Sequence, residues 1–329
     1  MDIPEITQIE TQLVDSNTID NSPGPCCMSF GFDLNPLIQS INKIGLINRP
    51  LLMEGKHGLL TVITGYRRIK ALKSLEWNRI PCWILPESKI SPLKCLLLNL
   101  YDNLATRELN EVEKGMILSR LCSWVPRYEV LEVYMPLLDL PSHEPTLFFF
   151  TKLERELDPK IKEYLVQENL SLQITKMLLE MEPEARSQVF SVISNIKFNI
   201  NQQKYLIDYI IDISNIENKP IPEILKEPSL EEVFTNKHLN SPQKAKAILK
   251  LLRARRLPSL VKAEELFKKR VSGLDLPDEV RIFAPQYFEE PDYRLELRFR
   301  DGKGLKKTIN RLALIKGLED IGNPWERDA

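Results

Sequence analysis

Apolar residues alternate with polar ones at the start of the chain and then recur at helical spacing. Three isoleucines fall in residues 1–14, which we predict to form a short edge strand, and a turn-rich, flexible connection follows over residues 15–28. From residue 33 to residue 44, leucines and isoleucines recur every three or four positions, which predicts a helix that ends at Gly45.

Two short apolar runs, residues 49–53 and 59–63, come next, and the glycine-containing segment between them predicts a β-hairpin. A single glycine, Gly65, then precedes a helix whose apolar side chains share one face. Residues 79–85 are a further predicted strand. Together these elements predict a compact α/β unit of roughly 80 residues.

From residue 91 onward the pattern becomes helical. Asn110 followed by Glu113 fits a capping box that opens a helix over residues 111–124. Helical periodicity continues to about residue 225, apart from short turns, so a second, all-α region follows the first unit. Residues 227–241 are a poor helix candidate with prolines nearby, and we interpret them as a linker.

Basic residues concentrate in residues 242–272, where ten lysines and arginines stand against two glutamates. A leucine-rich stripe accompanies them. Two interpretations stay open: a solvated pair of amphipathic helices that packs on a neighbour, or a surface that follows phosphates.

Residues 276–318 have a strand-turn-strand pattern, and a helix is predicted over residues 306–318. A lone hairpin with one helix buries little apolar surface. We therefore interpret this small α/β cap as an oligomerisation element.

The composition, net charge and apolar runs of the chain exclude several classes of protein. Hydrophobic residues make up 43% of the chain and charged residues 28%, as in a soluble globular protein. The net charge of -1 means that a nucleic-acid surface must be local. No apolar run is long enough for a membrane helix, and the acidic N-terminus does not resemble a secretory signal, so we expect a cytoplasmic protein. Five cysteines and three histidines without metal-ligand spacing argue against zinc.

The strongest candidate for a binding site is the glycine turn that opens the helix after residue 64. Gly65 allows the backbone to approach an anion, the first-turn N–H groups are unpaired, and Arg67 and Arg68 add charged donors. Taken alone, the same pattern also fits two arginines that solvate an ordinary surface helix.

Three motifs, in order along residues 33–121, change that balance: FDLNPLIQSINKIGLINRP, TVITGYRRIKALKSLEWNRIPCWIL and DNLATRELNEVEKG. In this order they resemble the N-terminal domain of the ParB family of chromosome and plasmid partition proteins. Residues 153–190 are similar to the segment that follows the family's helix-turn-helix. The resemblance covers roughly two-thirds of the chain.

The residue pattern and the resemblance together predict an α+β fold in four parts. Residues 1–90 would be a small ParB/sulfiredoxin-like α/β N-terminal domain, and residues 91–226 an all-α central domain with a degenerate helix-turn-helix. Residues 227–241 would be a linker, and residues 242–329 a basic helical segment with a small α/β C-terminal cap.

The resemblance also implies that the chain binds CTP and Mg²⁺. The glycine-arginine-arginine motif would hold the phosphates, and the acidic-asparagine motif would hold the metal and phosphates. The nucleotide-binding residues it implies are Gly45, Leu46, Pro50, Gly65, Arg67, Arg68, Asn103 and Arg107, and the metal ligands are Asp102 and Asn103.

Three departures from the family pattern bear on catalysis. Tyr66 stands where the family usually has glutamate, Asp102 also replaces a glutamate, and one extra residue separates Asn103 from Arg107. We expect nucleotide binding, with at most slow CTP hydrolysis used as a switch. Sulfiredoxins of the same fold class place their working cysteine where this chain has Tyr66, so sulfiredoxin chemistry is not expected.

The helix-turn-helix would pair residues 128–138 with a recognition helix over residues 146–157. Three consecutive phenylalanines in that helix leave two alternatives open, a DNA-contact face or a packing element, and the second is favoured. DNA contact would then move to the basic segment. The DNA-binding candidates are Thr146, Thr151, Lys152, Arg155, Lys250, Arg253, Arg255 and Arg256.

The leading hypothesis is therefore a ParB-like, CTP-responsive DNA-binding protein of partition or a related DNA transaction. It would be a nucleoid-associated homodimer, with a partner ATPase and no membrane association. The alternative is a ParB-fold adaptor or transcription regulator that has lost sequence-specific DNA binding and acts through a protein partner.

Overall fold

A computed structural model describes residues 9–54, 58–168, 170–290 and 292–322 of the chain. The contacts divide the chain into two compact units, residues 1–182 and 183–329. The four-part domain division stays a prediction. The α+β fold class is confirmed, because a small mixed sheet accompanies a large majority of helices.

The first unit contains a four-stranded sheet with strand order β1-β4-β2-β3. The strands are β1 (Thr11–Asp15), β2 (Leu51–Glu54), β3 (Leu60–Thr64) and β4 (Arg79–Leu85). β2 and β3 form the predicted antiparallel hairpin, and the turn residues 55–57 lie outside the described residues. β1 is the predicted edge strand and pairs antiparallel with β4, while β2 and β4 run parallel.

Two helices cover this sheet, α1 (Asn35–Ile44) and α2 (Tyr66–Ser74). α1 ends where predicted, because Gly45 adopts a left-handed φ of 77° and its N–H donates to Ile41 O at 2.9 Å. Both helices bury one apolar stripe. The shared core contains Val14, Ile41, Leu52, Val62, Ile69, Leu72 and Ile80.

The rest of the first unit is helical. Its helices are α3 (Pro92–Leu104), α4 (Glu111–Trp124), α5 (Arg127–Glu129), α6 (Met135–Leu137), α7 (Glu144–Glu156), α8 (Pro159–Gln167) and α9 (Leu172–Leu179). The predicted capping box is present at Asn110 and Glu113, so α4 begins one residue after Asn110. A separate apolar core packs α3, α4 and α7 together around Leu100, Leu118 and Phe150.

The second unit begins with a helical array. Its helices are α10 (Pro183–Asn195), α11 (Ile200–Glu217), α12 (Ile221–Leu225), α13 (Pro228–Thr235), α14 (Ser241–Arg256) and α15 (Pro258–Ser272). Residues 227–241, which we predicted to be a poor helix candidate, contain the helix α13, so that prediction is wrong, while their role as a linker stays a prediction. Pro228 occupies the first helical position, where its missing N–H costs nothing, and Leu230 is buried.

A two-stranded antiparallel sheet, β5 (Val280–Phe283) and β6 (Arg294–Leu297), and the helix α16 (Gly302–Leu312) complete the second unit. α16 begins earlier than predicted, because the Asp301 carboxylate accepts the Gly304 N–H at 2.7 Å and caps the helix. None of the helices among the described residues is both long and apolar enough to cross a bilayer.

Candidate functional site

The turn between β3 and α2 has the backbone shape that the glycine predicts. Gly65 adopts φ 85° and ψ 23°, in the left-handed region, and precedes the first turn of α2. A Cβ at this position would lie 3.1 Å from Pro50 Cα and 3.1 Å from Arg68 Nε. The turn therefore brings the start of α2 against the segment that enters β2, and leaves the first N–H groups of the helix at its exposed end.

Arg68 ties this helix end to two other segments. Its Nη1 donates to the carbonyl oxygen of Asn48 at 3.0 Å, and its Nη2 lies 2.9 Å from Asp102 Oδ2 on α3. Asp102 is 39% exposed, so this ion pair remains open to exchange with solvent anions.

Arg67 and Arg107 share one carboxylate, that of Glu113. Arg67 Nη2 lies 2.6 Å from Glu113 Oε1, and Arg107 Nη1 lies 2.5 Å from Glu113 Oε2. The Glu113 side chain is 0% exposed, while the side chains of Arg67 and Arg107 are 27% and 18% exposed. A fully buried carboxylate requires such partners, because a lone buried charge would be costly.

Two asparagines on α3 continue the network. Asn103 Oδ1 accepts from Arg107 Nε at 2.6 Å, and Asn103 Nδ2 donates to Asn99 Oδ1 at 2.6 Å. Asn99 is buried and donates in turn to the carbonyl oxygen of Cys26 at 2.5 Å. The chain of hydrogen bonds fixes the orientation of Arg107 from the interior of the fold.

These side chains line one cavity of about 260 Å³. Its walls are formed by Ser29, Leu37, Asn48, Gly65, Tyr66, Arg67, Arg68, Asn99, Asp102, Asn103, Thr106 and Arg107. Burial lowers the pKa of Arg67 from its ordinary value, and the charge of Arg107 lowers it further, while Glu113 opposes both effects. Arg67 stays cationic at any physiological pH, and its surroundings favour an additional anion.

Aromatic rings border the cavity on one side. The Arg67 guanidinium lies 4.8 Å from the centre of the Phe32 ring, and Phe32 meets Tyr66 edge-on with 6.3 Å between ring centres. The Phe32 ring therefore packs against one face of the Arg67 guanidinium as a cation–π contact.

The predicted nucleotide residues fall into two groups. Gly65, Arg67, Arg68, Asn103 and Arg107 line the cavity. The predicted nucleoside-side residues do not line it: Gly45 ends α1, Leu46 packs on the apolar core, and Pro50 contacts Gly65.

Sequence reasoning missed several lining residues and the buried carboxylate. Ser29, Leu37, Asn48, Asn99 and Thr106 carry no local signal of binding, and only their contacts with the motif residues place them there. Glu113 stood out only as a helix-capping residue. Its spacing of six residues from Arg107 carried no hint that it also reaches Arg67.

The predicted metal ligands fit Mg²⁺ only in part. Among the described residues, no group of three or more histidine, cysteine, aspartate or glutamate side chains is arranged to hold a metal. Mg²⁺ needs only one or two carboxylates when phosphates supply the rest, and Asp102 provides one at the cavity wall. Asn103 fits poorly, because its oxygen already accepts from Arg107.

α7 carries the predicted recognition residues. Thr151 donates its hydroxyl to Leu147 O at 2.9 Å, Lys152 lies 3.8 Å from Glu156, and Arg155 is exposed. Thr146 is half-buried near the start of the same helix. One face of the helix packs in the core through Leu147, Phe150 and Leu153.

The opposite face of α7 borders a groove of about 520 Å³ with the end of α4. Phe148 is 56% exposed there, beside Thr151, Arg155 and Arg127. The helix therefore has both a packing face and a polar-aromatic outer face, and the role of the outer face in DNA contact stays a prediction.

The basic segment of α14 is neutralised by carboxylates from other helices. Arg253 pairs with Glu264 through two contacts of 2.6 Å, and Arg255 pairs with both Glu217 and Glu227. Those acidic residues come from α11, α15 and the segment before α13.

Two further basic residues of α14 differ in whether they form an ion pair. Arg256 Nε lies 2.5 Å from Asp212 of α11, and its guanidinium stacks on Tyr209. Lys250, in contrast, is exposed, and no ion pair of it occurs within the part of the chain that the structure describes. The DNA-binding role of these residues stays a prediction.

No protein-family model matches the chain, and no curated protein matches it. Two solved structures of C-terminally truncated chromosome-partitioning protein ParB from Caulobacter crescentus do match. The one complexed with CTP-gamma-S is 17% identical, with 54% of this chain and 98% of that chain covered and a TM-score of 0.26. The one complexed to the centromeric parS site is 13% identical, with 60% and 98% covered and a TM-score of 0.33. Both are members of the family that the sequence motifs resemble.

Proposed function

We propose that this chain is a ParB-like protein whose arginine-lined cavity binds the triphosphate of CTP and thereby controls DNA binding. The observation that carries the proposal is the convergence of Arg67, Arg68 and Arg107 at the start of α2, next to Gly65. Unpaired helix N–H groups and guanidiniums are the donors that phosphates require.

Mg²⁺ would accompany the nucleotide and neutralise part of its charge. Asp102 is the side chain suited to hold it, with the remaining ligands from phosphates and water. Its present partner Arg68 would then turn to a phosphate oxygen, because the two cations compete for the same carboxylate.

The test is a calorimetric titration of CTP with Mg²⁺. Parent protein should bind, and the Arg67→Ala/Arg68→Ala pair should lose at least about 100-fold in affinity, because two charged hydrogen-bond donors are removed. Arg79→Ala is the matched control, an exposed arginine of β4 outside the cavity. Parent protein that gives no heat with CTP would end the nucleotide proposal.

DNA binding is the second part of the proposal. Its candidates are the outer face of α7 with Arg155, and Lys250 of α14, because these cations are exposed. Mobility shifts over a salt series test it, since true phosphate contacts weaken steeply as salt rises. A mobility shift that does not weaken as the salt concentration rises would contradict phosphate binding.

The alternative is an adaptor that keeps the nucleotide site and acts through a protein partner. Two observations favour it: Phe148 is 56% exposed in the α4–α7 groove, and three arginines of α14 are already paired with carboxylates. Phe148→Ala separates the two functions. If α7 reads DNA, the parent binds DNA with a steep dependence on salt and the variant binds it more weakly, whereas an adaptor shows no sequence-specific DNA binding in either protein.

A homodimer through the C-terminal cap is the third part of the proposal. Leu295, Phe299 and Ile309 are each at least half exposed on β6, the segment after it and α16, and exposed apolar side chains of this kind would be covered in a dimer. Sedimentation should find a dimer in the parent and a monomer in Ile309→Lys. A parent that sediments as a monomer at all concentrations would contradict this part.

A partner ATPase, a nucleoid-associated location and slow hydrolysis of CTP complete the proposal. They rest on the motif resemblance. Phosphate release from CTP, measured with and without DNA, tests the last of them.

A further inference from the structure

Glu113 contacts more donors than its role as a helix cap requires. Its Oε1 accepts from Arg67 Nη2 at 2.6 Å and from the Phe30 N–H at 3.0 Å. Its Oε2 accepts from Arg107 Nη1 at 2.5 Å and from the Asn110 N–H at 3.1 Å. Two guanidiniums and two amides thus surround one carboxylate that is 0% exposed.

That set of donors is the set a phosphate group would recruit. A carboxylate that bridges two arginines occupies the same fork of N–H groups that phosphate oxygens accept from. The arginines reach it from different elements, Arg67 from the first turn of α2 and Arg107 from the connection before α4. Glu113 itself belongs to the first turn of α4.

The pairing leaves the two arginines unequally available. Arg107 also donates through Nε to Asn103 and through Nη2 to Met28 O at 3.1 Å, so each of its nitrogens has an acceptor. Within the described ranges, the hydrogen bonds of Arg67 run from Nη2 to Glu113 and, at 3.3 Å, from Nε to Ser29.

The charges at the cavity nearly cancel. Three arginines, Arg67, Arg68 and Arg107, face two carboxylates, Glu113 and Asp102, which leaves a formal excess of one positive charge. Burial and the neighbouring Arg107 lower the pKa of Arg67. Without Glu113 the excess would be two, and the two guanidiniums would repel each other across a partly buried space.

We propose that Glu113 is an internal competitor that sets the anion affinity of the cavity by holding Arg67 in the place of a phosphate. A phosphate that takes over Arg67 must release it from Glu113, so part of the binding energy goes into breaking this contact. This inference concerns the same cavity as the proposed nucleotide site. It rests on the proposed function for the identity of the ligand, whereas the attraction of the cavity for an anion follows from the arginines themselves.

The test uses Glu113→Gln, which keeps the length of the side chain and the capping box, because glutamine also reaches back to the first N–H. Inorganic triphosphate is the probe, followed by calorimetry. We expect Glu113→Gln to bind it about tenfold more tightly than the parent, while the ligand-free variant unfolds at a lower temperature. A merely structural glutamate would instead lose both stability and binding.

The matched control is Glu111→Gln, in the same first turn of α4 as Glu113. The carboxylate of Glu111 pairs with Lys114 and not with the arginines. It should bind triphosphate as the parent does. Equal or weaker binding by folded Glu113→Gln, or equal tightening in both variants, would overturn the inference.

A second pair of variants covers the case in which Glu113→Gln does not fold. The double variant Arg107→Gln/Glu113→Gln removes one charge of each sign. It is compared with the single variant Arg107→Gln. The double variant should bind triphosphate about tenfold more tightly, because only there is Arg67 released. Equal affinities would overturn the inference. Tightening for triphosphate with no binding of CTP would leave it standing and reject the CTP proposal.

Discussion

Two sets of arginines in this chain make ion pairs, and they differ in what surrounds the pairs. At the cavity, Arg67 and Arg107 converge on a carboxylate that is 0% exposed, while Arg68 meets the half-open Asp102. On α14, Arg255 meets Glu217 and Glu227, which keep 35% and 21% of their surface. The first set surrounds a cavity and the second covers a helix surface.

This difference in surroundings decides whether a cluster of basic residues can hold an anion. Both sets stood out in the sequence as candidate phosphate-binding groups. The three cavity arginines meet two carboxylates and keep a formal excess of one positive charge beside an open space. The three paired arginines of α14 meet four carboxylates from neighbouring elements and keep no such excess. A local count of basic residues therefore predicts an anion site only where the acids that the fold brings to them are fewer.

The largest expected effect comes from removing one arginine of each set. Arg107→Ala leaves a fully buried carboxylate with one partner fewer and breaks the contact to Asn103. We expect a loss of about 3–5 kcal/mol in the free energy of unfolding. Arg255→Ala frees exposed carboxylates to water and should cost about 1 kcal/mol or less.

Chemical denaturation of both variants measures this difference. The second unit contains Arg255 and the first contains Arg107, so probes in each unit are needed. Equal losses in the two variants would contradict the distinction between buried and exposed pairs.

A smaller effect is expected at the glycine turn. Gly65→Ala puts a Cβ at a left-handed φ of 85° and within 3.1 Å of Pro50 and Arg68. The strain should cost about 1–3 kcal/mol and weaken CTP binding, because the start of α2 must shift. Gly302→Ala is the control, since nothing lies near its Cβ and its φ is not positive. Thermal unfolding of the two variants measures this cost. An unfolding temperature of Gly65→Ala equal to that of the parent would show that the turn tolerates a side chain.

The hairpin and the capped start of α4 could be predicted, since turn and capping signals are local in sequence. The positions of Gly65, Arg67 and Arg68 in one cavity also follow from a strand, a turn and a helix in succession. The contact from Arg67 to Glu113 spans 46 positions, and that from Arg255 to Glu217 spans 38. Such pairs depend on how helices pack, which no local pattern specifies, and the same holds for Leu37 and Asn48 at the cavity wall.

The α14 set should make the stability of the second unit depend on pH. Hydrogen bonds from Arg255 lower the pKa of Glu217 and of Glu227, and a hydrogen bond from Arg253 lowers the pKa of Glu264, each from an ordinary value of 4.5. A lowered carboxylate pKa adds stability that is complete above the ordinary value and is lost as the pH falls through the lowered one.

We therefore expect the second unit to lose stability below about pH 4.5, and Arg255→Ala to lose less than the parent over the same range. Unfolding temperatures of both proteins between pH 7 and pH 3 measure this. Parallel curves for the two proteins would contradict a contribution from these pairs.

The smallest effect concerns the exposed lysine of α14. Lys250→Ala should lower the slope of DNA affinity against salt by about one, whereas Arg255→Ala should leave the slope unchanged, because its charge is already paired. Mobility shifts over a salt series compare them. A larger loss of slope in Arg255→Ala than in Lys250→Ala would reverse the assignment of the two residues.

The proposed function requires that the cavity between α2 and α3 holds the phosphates of a nucleotide. A crystal structure of the full chain with CTP and Mg²⁺ is the direct test. We expect phosphate oxygens within hydrogen-bond distance of Arg67, Arg68 and the first N–H groups of α2, with the metal at Asp102. Nucleotide bound elsewhere, or a cavity with its arginine pairs unchanged at saturating CTP, would contradict it.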